Sequence, residues 1–196
     1  MRTRYPDRLR IVTGDARDID VAALARETDD GQQLKIVSNL PYNVATPLLI
    51  GWLRGGDGIS DMVLMFQKEV AQRLCATPGT REYGRLSVLA QWRCRVTRLF
   101  DIPGRAFVPP PRVTSTVLRL TPRREPLAPA PLEALERVTA AAFGQRRKML
   151  RSSLKALGVD VGALLAAADI NPETRAERLD VVEFCALARI LAEGEA

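Results

Sequence analysis

Four prolines fall within ten residues in Pro122-Arg-Arg-Glu-Pro-Leu-Ala-Pro-Ala-Pro131. Proline fixes φ and has no N–H to donate, so this stretch can be neither a helix nor a central strand. It is read as an extended linker at 122–131 between a first domain, 1–121, and a second, 132–196. Before the linker, Arg8–Thr13, Leu34–Ser38 and Asp61–Phe66 have the apolar, β-branched character of buried strands, with a helix expected at Val21–Arg26. Thr46-Pro47 reads as an N-cap and first helical residue of a short helix that ends at Gly55-Gly56. A helix over Lys68–Ala76, a loop over Thr77–Gly84, a helical face at Leu86, Val88, Leu89 and Trp92, and a strand pair at Arg93–Ile102 and Ser115–Leu120 complete an α/β layered domain. After the linker the pattern is wholly helical: Leu132–Phe143, Gln145–Leu157, Val161–Ala168, and a last helix running from the capping box Asp180-Val-Val-Glu183 to near Gly194.

Charge narrows the partners. Arginine supplies 25 of the 29 basic residues and the net charge is +6, a balance that favours phosphate-bearing ligands. The excess is local: residues 81–124 carry +8 and residues 156–196 carry −5. The absence of histidine excludes serine–histidine triads, imidazole bases and histidine-ligated metals, and no metal is expected at the chemistry. Cys75, Cys94 and Cys185 form no CxxC pair and are expected as buried thiols of a reducing cytoplasm. No window reaches the ~18 apolar residues of a membrane span, and a cytoplasmic monomer of ordinary globular composition is expected.

The most informative string is Ser38-Asn-Leu-Pro-Tyr-Asn43, placed just after an apolar strand, where open α/β sheets bind ligands. An asparagine oxygen and a neighbouring backbone carbonyl can accept hydrogen bonds from an exocyclic amine, while an adjacent aromatic ring stacks on the base that carries it. Two such acceptors turn the amine's lone pair towards an electrophilic methyl group, so positioning takes the place of a general base. Taken alone, the same tetrapeptide serves equally well as a turn into a helix. Gln145-Arg-Arg-Lys-Met-Leu-Arg-Ser-Ser-Leu-Lys155 carries five positive charges and no acid; as a helix it would align residues 147, 151 and 155 on one face able to track phosphates.

That string stands with Thr13-Gly-Asp-Ala16, Met65-Phe-Gln-Lys-Glu-Val-Ala-Gln-Arg-Leu74, Tyr83-Gly-Arg-Leu-Ser-Val88, Phe107-Val-Pro-Pro-Pro-Arg-Val-Thr-Ser-Thr-Val117 and Ala142-Phe-Gly-Gln-Arg-Arg-Lys-Met-Leu-Arg151. In order and spacing the set resembles the bacterial small-subunit ribosomal RNA adenine dimethyltransferases, the kasugamycin-resistance family, over nearly the whole chain. The resemblance implies an incomplete Rossmann-like, S-adenosylmethionine-dependent methyltransferase domain followed by a small all-α domain. It implies N6,N6-dimethylation of two adjacent adenines in the 3′-terminal hairpin of small-subunit rRNA, with the immature small subunit as partner. On this resemblance Asp15, Ala16 and Asn39 meet the cofactor. Asn39 with Leu40 and Pro41 holds the target amine, and Tyr42 and Phe107 pack on the flipped base. Arg112, Arg146, Arg147, Lys148, Arg151 and Lys155 meet RNA.

The family's glycine-rich turn after its first strand and the acid ending its second find no match here, and Gly55-Gly56-Asp57-Gly58 follows a helix rather than a strand. The first two β-α units are thus expected to be missing, leaving the strand at Arg8 without a native neighbour and sheet edges open. On that expectation the chain is a fragment, and the alternative reading is an inactive binder of rRNA or the small subunit.

Overall fold

The computed structural model describes residues 11–26, 33–55 and 58–194. In chain order these form α1 (Val21–Arg26), β1 (Leu34–Asn39), α2 (Tyr42–Arg54), β2 (Ile59–Gln67), α3 (Lys68–Cys75), α4 (Arg85–Arg93), β3 (Cys94–Ile102), β4 (Ser115–Pro122), α5 (Leu132–Gly144), α6 (Leu150–Ser153), α7 (Val161–Ala167) and α8 (Val181–Glu193). One sheet runs β1-β2-β4-β3. β1 and β2 are parallel, Val37 opposite Val63. β4 returns antiparallel to β2, with Gln67 opposite Ser115, and pairs on its other side with β3, where Ile102 faces Ser115. This register brings the C-terminal ends of β1, β2 and β3 and the start of β4 to one edge of the sheet.

Alternation decides what each sheet face buries. Met62, Leu64 and Phe66 of β2, with Leu118 and Leu120 of β4, are nearly or fully buried and share a cluster with Leu48 and Leu49 of α2 and Leu74 of α3. Truncating such a leucine to alanine costs about 2–5 kcal/mol. On the other face, Val37 is 78% exposed, and Arg119 holds Asp61 through its Nε at 2.8 Å, with Thr121 donating to the same carboxylate. Among the described residues no strand pairs with the outer edge of β1. Residues 11–13 form no strand, and Ile11 and Val12 are about half exposed; residues 8–10 of the strand expected there lie outside the described residues.

Two expectations are corrected. Helix α2 begins at Tyr42, so Thr46 is not its cap and Pro47 lies inside it. Pro41, with φ −56° and ψ 133°, takes the N-cap position, and its carbonyl accepts the N–H groups of Val44 and Ala45 at 3.0 and 3.1 Å. The helix thus starts a turn earlier, and Pro47 has no N–H to return to the Asn43 carbonyl. Nor do residues 145–157 form one helix. A turn spans 145–147, α6 covers only Leu150–Ser153, and a 3₁₀ turn follows at Leu154–Leu157. The backbone is claimed elsewhere: Met149 bridges to Arg175, Leu150 N–H donates to Thr174 at 2.8 Å, and Arg151 N–H donates to Pro172 at 3.1 Å.

Contrary to expectation the first residue of the proline-rich stretch, Pro122, is in a strand: it ends β4 opposite Cys94, beyond the register with β2 that stops at Leu120; the rest, 123–131, has no regular structure, yet it is pinned. Arg123 and Leu127 donate their N–H groups to the carbonyls of Arg93 and Trp92, and the Trp92 indole donates to Ala128 at 2.8 Å. The helical part docks on α4 and the segment just before it: Tyr83, Val88, Leu89 and Trp92 share a buried cluster with Leu135, Val138, Phe184 and Leu187, and Arg54 of α2 donates to both carboxylate oxygens of Glu136 of α5. α8 opens on the expected capping box, Asp180 and Glu183 bonding reciprocally at 2.7 and 2.8 Å. Burial pushes the Cys94 and Cys185 thiols up to about 12, and all three cysteines are free. No described helix is long and apolar enough to cross a membrane.

Tyr83 is fully buried against Phe143, ring centroids 6.0 Å apart and edge-on, while its hydroxyl has no partner among the described residues. An unpaired buried hydroxyl costs about 1–3 kcal/mol. Tyr83→Phe is therefore expected to match or exceed wild-type stability by about 1 kcal/mol in a urea melt; a loss of that size would show that the hydroxyl is satisfied.

Candidate functional site

The sheet edge defined above gathers two segments singled out in the sequence. Asn39 is the last residue of β1, opposite Met65, and its side chain is exposed. Leu40 turns into the core at 7% exposure, which anchors the turn and leaves only its backbone for a ligand. Pro41 is exposed and Tyr42, half-buried, opens α2. The Tyr42 hydroxyl lies 2.8 Å from Ser115 Oγ, so the turn is tied across the end of β2 to β4.

The second segment is the 103–114 connection. It leaves β3 through a short 3₁₀ turn, Gly104–Ala106, which Phe107 closes by donating its N–H to the Gly104 carbonyl at 3.1 Å. Phe107 is half-buried, Val108 and Arg112 are exposed, and Val108-Pro109 is a cis peptide. A Cβ on Gly104 would overlap the Pro111 carbonyl oxygen and reach that of Val113, so glycine is what lets the loop fold back on its own stem. Lys68 N–H donates to the Thr114 carbonyl at 2.9 Å. Asp101 ties the other end: its carboxylate accepts from Thr116 at 2.8 Å and Arg98 Nη2 at 2.6 Å, and lies 3.3 Å from Lys68 Nζ. The Arg98 hydrogen bond, ahead of that from Thr116, holds this carboxyl down at about 2.

Asp15 lies in the irregular segment before α1, both its oxygens held by Arg17, at 2.6 Å to Nη2. The Arg17 hydrogen bonds lower its pKa to about 2. Ala16 and Arg17 line a hollow of about 330 Å³ with Asp20, Pro47, Trp52 and Ile59; Ile59 begins β2, at the end opposite Asn39, so the structure does not bring Asp15 and Ala16 together with Asn39.

The expected RNA-facing residues divide. Arg147, Lys148, Lys155 and Arg112 are exposed. Arg151 lies 3.6 Å from Glu173. Arg146 bridges Glu177 at 3.0 Å and the Thr80 carbonyl at 3.1 Å, and with Arg73, Arg81, Arg85 and Phe143 it lines an open cleft of about 540 Å³ that also holds Glu69 and Glu82. Residues 147, 151 and 155 do not form the single helical face expected of them, because the helix is broken. Ser115, Asp101, Gly104 and Arg73 were not singled out from sequence, and Arg81 and Arg85 only as part of the basic stretch 81–124; Ser115 acts through Tyr42, 73 residues away, and the cleft gathers arginines from three separate segments.

The profile of ribosomal RNA adenine dimethylases matches residues 2–193. The chain belongs to the ribosomal RNA adenine dimethylase family. Among the family's curated members, the "Ribosomal RNA small subunit methyltransferase A" proteins of Rhodospirillum rubrum and Paramagnetospirillum magneticum are 61% and 59% identical over 185 and 189 residues. The alignments cover 94% and 95% of this chain but 62% and 64% of those relatives. A dimethyladenosine transferase from Plasmodium falciparum superimposes with TM-score 0.79 at 21% identity, covering 99% of this chain and 78% of that one. The 23S rRNA methyltransferase ErmE gives 0.64 at 20%, covering 97% and 76%. These likenesses show the Rossmann-like methyltransferase fold, here with a helical C-terminal part.

Two outcomes follow for this dimethylase-family loop. Gly104→Ala costs about 1–3 kcal/mol of local strain, so trypsin should cut at Arg105 and Arg112 roughly tenfold faster; unchanged cleavage would mean the backbone absorbs the methyl group elsewhere. A folded-state pKa below the unfolded value gives stability that is present above about pH 4 and lost as pH falls through the folded pKa. The Asp101 carboxyl resonance is therefore expected to titrate near pH 2, and a midpoint near 4 would contradict the clamp.

Proposed function

We propose that this chain carries the acceptor-adenine site of an S-adenosylmethionine-dependent enzyme that dimethylates N6 of two adjacent adenines in the 3′-terminal hairpin of small-subunit rRNA, on the immature subunit in the cytoplasm. The observation that carries the proposal is the Asn39–Tyr42 turn at the C-terminal edge of the sheet, tied through Ser115 to the strand that ends the Phe107 loop, in a chain of this family.

Asn39 Oδ1 and the backbone carbonyl of Leu40 accept the two N–H groups of the adenine amine, and Pro41, whose carbonyl is already taken by Val44 and Ala45, shapes the turn that presents them. This orients the amine's lone pair, and because the chain has no histidine the rate comes from positioning rather than from an imidazole base. Tyr42 and Phe107 take the faces of the extruded base, each stacking contact contributing about 1–3 kcal/mol. The cofactor, when bound, supplies an electrophilic methyl group on its sulfonium. Asp15, Ala16 and Asn39 are the residues that would hold it. The donor chemistry fits, because Asp15 can accept from an adenine amine once Arg17 gives way. Arg112, Arg147, Lys148, Arg151 and Lys155 meet phosphates, joined by the cleft of Arg73, Arg81, Arg85 and Arg146.

A second reading, rRNA binding without methyl transfer, is favoured by the engagement of both Asp15 oxygens by Arg17. Incubation with labelled S-adenosylmethionine and undermethylated small subunits separates the two. Under the first reading label appears on the RNA, and Asn39→Ala lowers it by about a hundredfold or more while RNA binding is kept; full transfer by Asn39→Ala would remove Asn39 from the acceptor site. Binding without label in the wild type would support the second. Arg81→Ala or Arg85→Ala should weaken RNA binding and reduce the salt slope by about 1; an unchanged slope would take the cleft out of the interface.

A further inference from the structure

Ser115 is fully buried at the first position of β4, and its backbone is fixed on both sides, by Gln67 of β2 and Ile102 of β3. Its hydroxyl therefore stands at a fixed point of the sheet. That hydroxyl meets the far end of the Tyr42 ring at 2.8 Å, while the ring's near end is set by Pro41 and the first turn of α2. A tyrosine side chain has two soft torsions; because the hydroxyl lies on the ring's own long axis, holding it fixes χ1, the direction in which the side chain points, while rotation about that axis is left to the packing of the half-buried ring. Ser115 also closes the connection that carries Phe107, since β4 begins directly after it. One residue thus holds the Tyr42 side chain and ends the loop that carries Phe107.

We propose that Ser115 is a positioning residue: its buried hydroxyl fixes the direction of the Tyr42 side chain on the sheet edge from which the Phe107 loop departs, so that an extruded adenine finds the Tyr42 ring already in place. The inference deepens the proposed function and rests on it. Ser115 touches neither the base nor the methyl donor; it acts through Tyr42. Loss of either hydroxyl frees the side chain to swing about its Cα–Cβ bond, which loosens the grip on the base without removing a contact to the RNA backbone.

The test uses the full chain and a small-subunit-type RNA hairpin that keeps both acceptor adenines, with 2-aminopurine stacked directly beside them to report their extrusion and a dye at the 5′ end. Anisotropy of the dye reads binding, and 2-aminopurine fluorescence reads extrusion of the adjacent adenines. The wild type is expected to bind and to change the 2-aminopurine signal. Ser115→Ala and Tyr42→Phe should each cut that change by about half or more, read at protein concentrations that saturate the anisotropy of each variant. The double variant should do no more than either single, and Ser115→Thr, which keeps a hydroxyl, should restore the change. Full signal in Tyr42→Phe, which removes one oxygen and keeps the ring, overturns the proposal even if Ser115→Ala fails to fold. Losses that add in the double variant overturn it as well. A wild-type chain that binds without any 2-aminopurine change overturns the acceptor-site reading and the proposal with it, whereas a wild-type change that the single variants leave intact overturns the proposal alone.

Discussion

The antiparallel register of β4 on β2, Gln67 against Ser115, is the constraint on which the rest of the molecule depends. Side-chain period in a strand is two, so a slip of one residue would turn Leu118 and Leu120 out of the core and Arg119 into it. The same slip would turn the Ser115 hydroxyl away from Tyr42. Core packing therefore selects the register, and the register sets the proposed base site. The Asp61–Arg119–Thr121 contacts on the open face agree with it, but these exposed pairs contribute little beside the apolar cluster beneath.

A second constraint acts across the linker. Arg123, Leu127 and Ala128 bond to the end of α4, and Tyr83 through Trp92 supply part of the core of the helical region. The turn at 145–147 is thereby held beside the 81–85 loop, with Arg146 bonded to Glu177 and Thr80. Four guanidiniums from α3, the 81–85 segment and that turn then line one cleft. Their charges are concentrated by fold rather than by sequence adjacency, which suits a ligand of repeating phosphates.

How much of this was legible in the sequence follows from the range of each interaction. β2 and α3 were readable because a run of apolar residues, then a switch of period, is local. The capping box at Asp180 needed only a spacing of three. The start of α2 was misplaced because Thr46-Pro47 and Pro41 are both credible openings, and only the bonds of Val44 and Ala45 to Pro41 decide between them. The helix expected over 145–157 failed for a non-local reason: the segment 172–175 takes its backbone groups. The Asn39–Tyr42 turn was legible through its residue types and its place after a strand. Its tie to Ser115, 73 residues away, was not, since no local pattern reports a contact between two hydroxyls on separate elements.

The placement of the acceptor adenine is tested most directly by photocrosslinking. A small-subunit-type hairpin carrying 8-azidoadenosine at the acceptor positions is bound to the chain, irradiated, and the attached peptides are mapped by mass spectrometry. Adducts on the Asn39–Tyr42 turn and on the Phe107 loop are the expected result. Adducts confined to α3, the 81–85 segment and residues 145–155, with none at the sheet edge, would contradict it.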